Sequence, residues 1–198
     1  MNYQTKVTGV ILAGGLARRM NNQDKGLIPY KGRPLVCYAI AALTAVAGQT
    51  LINANRNREQ YQAFGLPVVA DQTGSFDGPL AGVLTAMINT DAEVLVVMPC
   101  DSPLIKAEHL QKLLSTRAEH NADAAVAFDG ERLHPVFIAL KTALKTSLQN
   151  YLASGQRKIE SWLKQQKMVK ADFSNEPGIF ININTMTELI ELEAKVDE

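Results

Sequence analysis

The sequence predicts an α/β fold: a doubly wound, mostly parallel central sheet with helices on both faces and some antiparallel strands near the C-terminus. Three observations carry this. Short β-branched apolar runs recur along the chain, segments of helical spacing separate them, and one run, residues 94–98, is apolar at every position. Such a run is expected of a strand covered on both faces at the centre of a parallel sheet.

Taken in order, the runs fall at residues 7–13, 50–53, 67–70, 94–98, 124–128 and 135–140, mostly too short for helices. Between them, Leu35, Ala39, Leu43 and Val46 recur at helical intervals, followed by residues 80–88 and then by Leu110, Leu113 and Leu114. Alternation of this kind means crossovers. Toward the C-terminus it loosens: Asp129-Gly130 reads as a hairpin turn between residues 124–128 and 133–140, and runs at 168–173 and 180–183 are expected as strands with some antiparallel pairing. Thr185-Met186-Thr187-Glu188 is a capping box, and the helix it opens continues through Leu189, Leu192 and Val196 along one stripe. No internal repeat or linker interrupts residues 1–198, which are expected to form a single domain.

The chain has 198 residues, 46% hydrophobic and only 20% charged, which argues against disorder. Twenty basic side chains balance twenty acidic ones, so no net field would hold the protein on nucleic acid or on a membrane surface. The distribution says more. Residues 1–70 carry eight Lys/Arg against Asp24 and Glu59, whereas residues 71–198 carry twelve against eighteen acids, so one half suits an anion and the other a cation. The apolar run 10–13 is cut off by Gly14-Gly15, leaving neither a signal segment nor a membrane span, and a cytoplasmic location is expected. Cys37 and Cys100 lie outside any C-x-x-C spacing, which argues against a disulfide framework or a structural zinc site; both are expected as buried thiols.

Ligands of such folds bind outside the carboxyl ends of the strands, which directs attention to the loops at Gly14, Asp71 and Asp101. The first strand runs into Leu12-Ala13-Gly14-Gly15, then Arg18, Arg19 and Lys25, matching neither G-x-x-x-x-G-K-[ST] nor G-x-G-x-x-G. A glycine pair alone can be a simple turn. Here it lets the backbone approach a ligand closely and offers N–H groups to an anion, and the Arg-Arg-x(5)-Lys arrangement adds charge for phosphate oxygens. Asp101 follows the fully apolar strand, where a carboxylate suits Mg²⁺ held partly through substrate phosphates, or equally the N-cap of the next helix. Asp71 ends the preceding run in the same way, and from Asp71 to Asp101 there are five acids and no base. In outline this is a nucleoside triphosphate site.

Leu12-Ala13-Gly14-Gly15, Arg18-Arg19-Met20 and Asp24-Lys25 resemble the L-A-G-G-x-x-x-R-M-G-x-x-D-K signature of nucleotidyltransferases with a Rossmann-like, glycosyltransferase-A type fold. Within them the chain is similar to the molybdenum cofactor guanylyltransferase family, through Asn53-Ala54-Asn55-Arg56, Gly78-Pro79-Leu80-Ala81-Gly82, Pro99-Cys100-Asp101, His134-Pro135, Gly155-Gln156-Arg157-Lys158 and Asn182-Ile183-Asn184-Thr185. One departure is visible, Asn21 where the signature has glycine. The resemblance implies transfer of GMP from Mg·GTP to the terminal phosphate of molybdopterin, with pyrophosphate released. It implies nucleotide contacts at Leu12, Ala13, Gly14, Gly15, Lys25, Asn53, Asp71, Gly78, Gly82 and Asp101, with Asp101 also holding Mg²⁺. Arg19, Lys25 and Asp101 would carry catalysis, and Arg157, Lys158, Asn182 and Asn184 would contact the acceptor. Partners would be the two substrates, with transient contacts to cofactor-biosynthesis proteins and acceptor molybdoenzymes.

A phosphate monoester is already largely ionised near pH 7, since its second pKa is about 6, so such a reaction needs no strong general base. His109 and His120 are expected on a polar helix surface and His134 at the start of a strand, none placed as a catalytic base. Alternatives sharing the same loop are a molybdopterin cytidylyltransferase, a sugar-phosphate nucleotidyltransferase and a regulatory nucleotide-binding module without turnover.

Overall fold

The computed structural model describes residues 6–15, 23–71 and 78–195. Its elements in chain order are β1 (Val7–Leu12), β2 (Pro29–Tyr30), β3 (Arg33–Pro34), α1 (Leu35–Thr44), β4 (Gln49–Asn53), α2 (Arg58–Gln62), β5 (Val68–Val69), α3 (Pro79–Ile88) and β6 (Val94–Pro99). There follow α4 (Ala107–Glu119), β7 (Ala124–Phe128), β8 (Leu133–Lys141), α5 (Lys145–Ala153), α6 (Ile159–Leu163), β9 (Met168–Asp172) and α7 (Met186–Lys195).

Among the described residues, seven strands form one sheet in the order β5-β4-β1-β6-β8-β7-β9. All neighbours pair parallel except at β8, which runs antiparallel to both β6 and β7. The alternation of β6 shows why its sequence is apolar throughout. Val94, Val96 and Met98 enter the core beneath α1 and α4, while Leu95 and Val97 enter the one beneath α3, α5 and α6. With both faces covered, every position from Val94 to Met98 is buried, and apolar side chains are favoured at each. A third, smaller core joins Ile28, Tyr30 and Leu35 to Ile183, Leu189 and Leu192, seating α7 beside the β2–β3 hairpin.

The expected α/β architecture and the central place of residues 94–98 hold. Several expectations need correction. Residues 180–183 form no strand: a 3₁₀ turn over Pro177–Phe180 leads into an unpaired stretch whose Ile183 N–H donates to the Asp101 carbonyl at 3.0 Å. The strand at 168–172 pairs parallel to β7, so the antiparallel pairing is confined to β8 and the β2–β3 hairpin. That hairpin, α2, α5 and α6 are not legible as periodic apolar runs, the last three being short or polar. His109 is buried, not on a polar surface: its Nδ1 accepts the Lys106 N–H at 2.9 Å and its ring meets Phe173 edge-on. Cys100 is a buried thiol, as expected, but Cys37 is only partly covered. Thr185 and Glu188 make the expected capping box, Glu188 accepting the Asn184 and Thr185 N–H groups and returning its own N–H to Thr185 Oγ1. Val196 lies outside the described residues.

Candidate active site

Register places the site. Leu12 at the end of β1 is paired with Asn53 on one side and Pro99 on the other, so β4, β1 and β6 finish level. Their next residues, Ala13–Gly15, Ala54–Asn55 and Cys100–Asp101, therefore meet at one edge of the sheet. Asp71, two residues past β5, joins them from the side.

Asp71 is fixed by an amide cluster. Its carboxylate accepts Asn53 Nδ2 at 2.9 Å, Asn55 Nδ2 at 2.8 Å and Thr85 Oγ1 at 3.2 Å, and its own N–H donates to Asn55 Oδ1 at 2.8 Å. Gly82 in α3 packs onto the same cluster: a Cβ there would overlap Asn53 Oδ1 and stand 2.8 Å from Leu12 Cδ2. Gly14 is similarly confined, since a Cβ would come within 3.3 Å of Asn55 Nδ2. Gly78, with φ at +77°, starts α3 in a backbone conformation that favours glycine. Together Leu12, Gly14, Gly15, Asn53, Asp71 and Gly78 line a cavity of about 340 Å³.

Lys25 comes from a 3₁₀ turn, Lys25–Leu27, and its Nζ donates to Asp101 Oδ2 at 3.0 Å and to Asn184 Oδ1 at 2.7 Å. The other Asp101 oxygen, Oδ1, is buried with no hydrogen-bond partner among the described residues. Asp101 is not the cap of the following helix, since Lys106 occupies that place. Cys100, directly before it, is held as a thiol because burial pushes its pKa up and the Asp101 charge adds to that.

The stretch before α7 is stitched to the same turn. Ser102 Oγ donates to Asn182 Oδ1 at 2.7 Å, and Asn184 Nδ2 donates to the Asn182 carbonyl at 3.0 Å. Asn182 and Asn184 line a second cavity of about 670 Å³ together with His134, Glu160, Phe180 and Glu188. Val136 lines both cavities, so the two adjoin. His134 is held against its wall: Nε2 lies 2.7 Å from Asp129 Oδ2, and the ring stacks on Phe180 with centroids 4.3 Å apart.

Of the residues singled out in the sequence, Leu12, Gly14, Gly15, Asn53, Asp71 and Gly78 therefore line one cavity and Gly82 packs behind it, Asn182 and Asn184 line the other, and Lys25 and Asp101 line neither but pair with each other and are tied to the second through Asn184. Ala13 is buried and donates its N–H to the Asn53 carbonyl at 2.8 Å, serving to align the two strands. Arg157 and Lys158 line neither cavity: Arg157 Nη1 donates to the Leu152 and Gln156 carbonyls, and the Lys158 carbonyl accepts the Tyr151 hydroxyl. Arg18, Arg19 and Asn21 lie outside the described residues. Sequence reasoning passes over Asn55, Thr85, Val136, His134 and Asp129 as site-lining groups. Of these, Asn55 and His134 leave a signal, both standing in stretches that carry the family resemblance.

A parallel sheet whose carboxyl edge brings a glycine pair, a lysine and two aspartates together defines an α/β protein of the nucleotidyltransferase class. The chain belongs to the MobA-like NTP transferase family, whose model matches residues 9–170. It is 45% identical to a molybdenum cofactor guanylyltransferase of Shewanella halifaxensis, over 91% of this chain and 90% of that one. A second, from Shewanella sediminis, is 42% identical over 96% of this chain and 97% of its own length. In fold, the chain is similar to molybdopterin-guanine dinucleotide biosynthesis protein A from Archaeoglobus fulgidus, with a TM-score of 0.78 and 20% identity, covering 96% of this chain and 98% of that one.

Proposed function

We infer that this chain transfers GMP from GTP to the terminal phosphate of molybdopterin, forming the guanine dinucleotide of the cofactor and releasing pyrophosphate. The observation that carries this reading is a pair of adjoining cavities, one for each substrate, with the Lys25–Asp101 pair joined to the larger of them through Asn184, which accepts from Lys25 and lines that cavity. The smaller cavity takes the nucleotide. Its lining includes the Asp71 carboxylate, which accepts three hydrogen bonds from Asn53, Asn55 and Thr85 and keeps lone-pair capacity for one further donor, as an N–H of guanine would supply. The larger cavity takes the acceptor, with Asn182 and Asn184 lining it in place of Arg157 and Lys158.

Asp101 fits a magnesium ion, because Oδ1 is a buried carboxylate oxygen still lacking a partner among the described residues, and such an oxygen is satisfied by a hard cation. Bound there, magnesium would neutralise charge on the phosphate oxygens. The chain supplies the rest. Lys25 Nζ uses two of its three donors on Asp101 and Asn184, leaving one for a phosphate oxygen. Gly15 leaves room for the phosphate chain to approach the backbone, since a Cβ there would meet nothing within 4 Å. No side chain is needed to remove a proton from the acceptor, in keeping with the engagement of His134 by Asp129 and of His109 by the start of α4. Catalysis on this reading is positioning and charge neutralisation.

Among the described residues no helix is long and apolar enough to cross a membrane, which is compatible with a cytoplasmic enzyme that passes its product to acceptor molybdoenzymes. Product analysis tests the reading. The protein is mixed with molybdopterin, Mg²⁺ and each of the four NTPs separately, and pyrophosphate with the guanine dinucleotide is expected from GTP alone. Product from CTP would make it a cytidylyltransferase, and none from any NTP would leave a binding module.

A further inference from the structure

Asp24 precedes the lysine of the site, and its side chain is only 3% exposed. A carboxylate taken out of water is costly unless it is paired and hydrogen-bonded, so its partners show what it holds. Tyr61, itself fully buried, donates its hydroxyl to Oδ1 at 2.5 Å, and Asn57 Nδ2 donates to Oδ2 at 3.1 Å. Arg56 Nε lies 3.5 Å from Oδ2. Burial pushes the Tyr61 hydroxyl far above its ordinary pKa, so it remains a donor to the carboxylate.

The other end of the same guanidinium reaches further. Arg56 Nη2 donates to the Gly15 carbonyl at 3.0 Å and approaches the Gln23 carbonyl at 3.4 Å. One side chain thus joins Gly15 to the residues directly before Lys25. From below, Gly26 seats the turn: a Cβ on it would come within 2.5 Å of the Tyr61 hydroxyl and 3.2 Å of Cys100 Sγ. The turn that carries Lys25 is therefore pinned on Tyr61 and tied to the glycine loop by Arg56. An ammonium could not replace this, because it lacks the planar fork that faces the Asp24 carboxylate at ion-pair distance on one edge while donating to carbonyls on the other.

We propose that Asp24 and Arg56 form a positioning clasp that sets the spacing between Gly15 and Lys25, the groups to which the reading above assigns the triphosphate. The proposal rests on that reading for its substrate, but its geometry is independent of the base and of the acceptor. Neither residue need touch the nucleotide. A misplacement of about 1 Å in a group that orients reacting phosphates costs on the order of 10²-fold in rate, which is the scale the clasp must prevent.

The test compares wild type with Arg56→Ala, Arg56→Lys and Tyr61→Phe. Arg56→Ala is expected to lower kcat/KM for GTP by roughly 10²-fold while the KM for molybdopterin stays within about twofold. Arg56→Lys keeps the charge without the fork and is expected to recover little; Tyr61→Phe, which removes one of the bonds to Asp24, should fall between. Titration with inorganic tripolyphosphate reads the same spacing without base or acceptor, and should show weaker binding in Arg56→Ala. Amide exchange over residues 23–27 should accelerate in parallel. If Arg56→Ala only melts earlier, with kcat/KM, tripolyphosphate affinity and exchange as in wild type, the clasp is overturned. Full recovery by Arg56→Lys overturns it as well. Should Arg56→Ala fail to fold, Arg56→Lys and Tyr61→Phe carry the comparison. A wild type that makes no dinucleotide but binds tripolyphosphate more tightly than the variants would sink the proposed reaction and leave the clasp standing.

Discussion

The ammonium of Lys25 holds one oxygen of the Asp101 carboxylate at 3.0 Å and leaves the other buried without a hydrogen-bond partner among the described residues. An unsatisfied buried carboxylate oxygen is costly, and the site keeps it. Asp101→Asn preserves shape and removes the charge. Pyrophosphate release is expected to fall by roughly 10²–10³-fold, the range seen when a group that stabilises transition-state charge is lost, with a melting temperature close to wild type. Near wild-type turnover at saturating Mg²⁺ would remove Asp101 from the metal site.

Lys25→Ala leaves that carboxylate without its cation. Without metal the variant should melt earlier than wild type, and Mg²⁺ alone should raise its melting temperature by more than it raises that of wild type, because the ion replaces a lost countercharge. Equal shifts in thermal melts of the two proteins would show that Mg²⁺ does not use Asp101.

Gly82→Ala tests the nucleotide cavity from behind. The added methyl overlaps Asn53 Oδ1 and crowds Leu12, so the amide that fixes Asp71 must move. A loss of about 1–3 kcal/mol in stability is expected from overpacking, together with weaker GTP binding in equilibrium titration. Unchanged GTP affinity would place the base elsewhere.

Asn182 and Asn184 should separate. Asn182 bonds Ser102 and lines only the larger cavity, so Asn182→Ala should weaken molybdopterin binding roughly tenfold and spare GTP, the cost of about one hydrogen bond. Asn184 also holds Lys25 at 2.7 Å, so Asn184→Ala should weaken both substrates. Paired titrations of each variant give the answer, and GTP loss in Asn182→Ala alone would reverse the assignment of the two cavities.

Asp129 sets an acid limit. Its carboxyl titrates well below the ordinary aspartate value of 3.8, because the Arg132 N–H donates to it, then His134 and the Glu131 N–H. The unfolded chain therefore binds a proton there more readily than the folded one. The stabilisation is complete above the unfolded pKa of about 3.9 and is lost as pH falls toward the folded value. Asp129→Asn should be less stable than wild type at pH 7, with the gap closing below about pH 4 in denaturant titrations. A gap constant down to about pH 2 would show that the carboxylate charge does not matter.

Whatever depends on local pattern is readable from the chain alone. The apolar run at 94–98, the helical intervals of Leu35, Ala39 and Leu43 in α1, and the capping box at Thr185 follow from short-range rules and stand where those rules put them. The glycine pair, Asp71 and Asp101 are legible because each follows a strand, and strand ends of a parallel sheet converge, whereas Lys25 is legible only from its spacing after Arg18-Arg19. Partners are a matter of tertiary packing. Residues 180–183 have the composition of a strand but are drawn off the sheet by Ile183, which packs with Leu189 and Leu192 and bonds Asp101. Arg157 and Lys158 carry suitable charge yet line neither cavity, whereas His134, Asp24 and Arg56 gain their places through contacts with residues distant along the chain. Long-range pairing is set by which faces can be buried together, and no short window of sequence contains both members of such a pair.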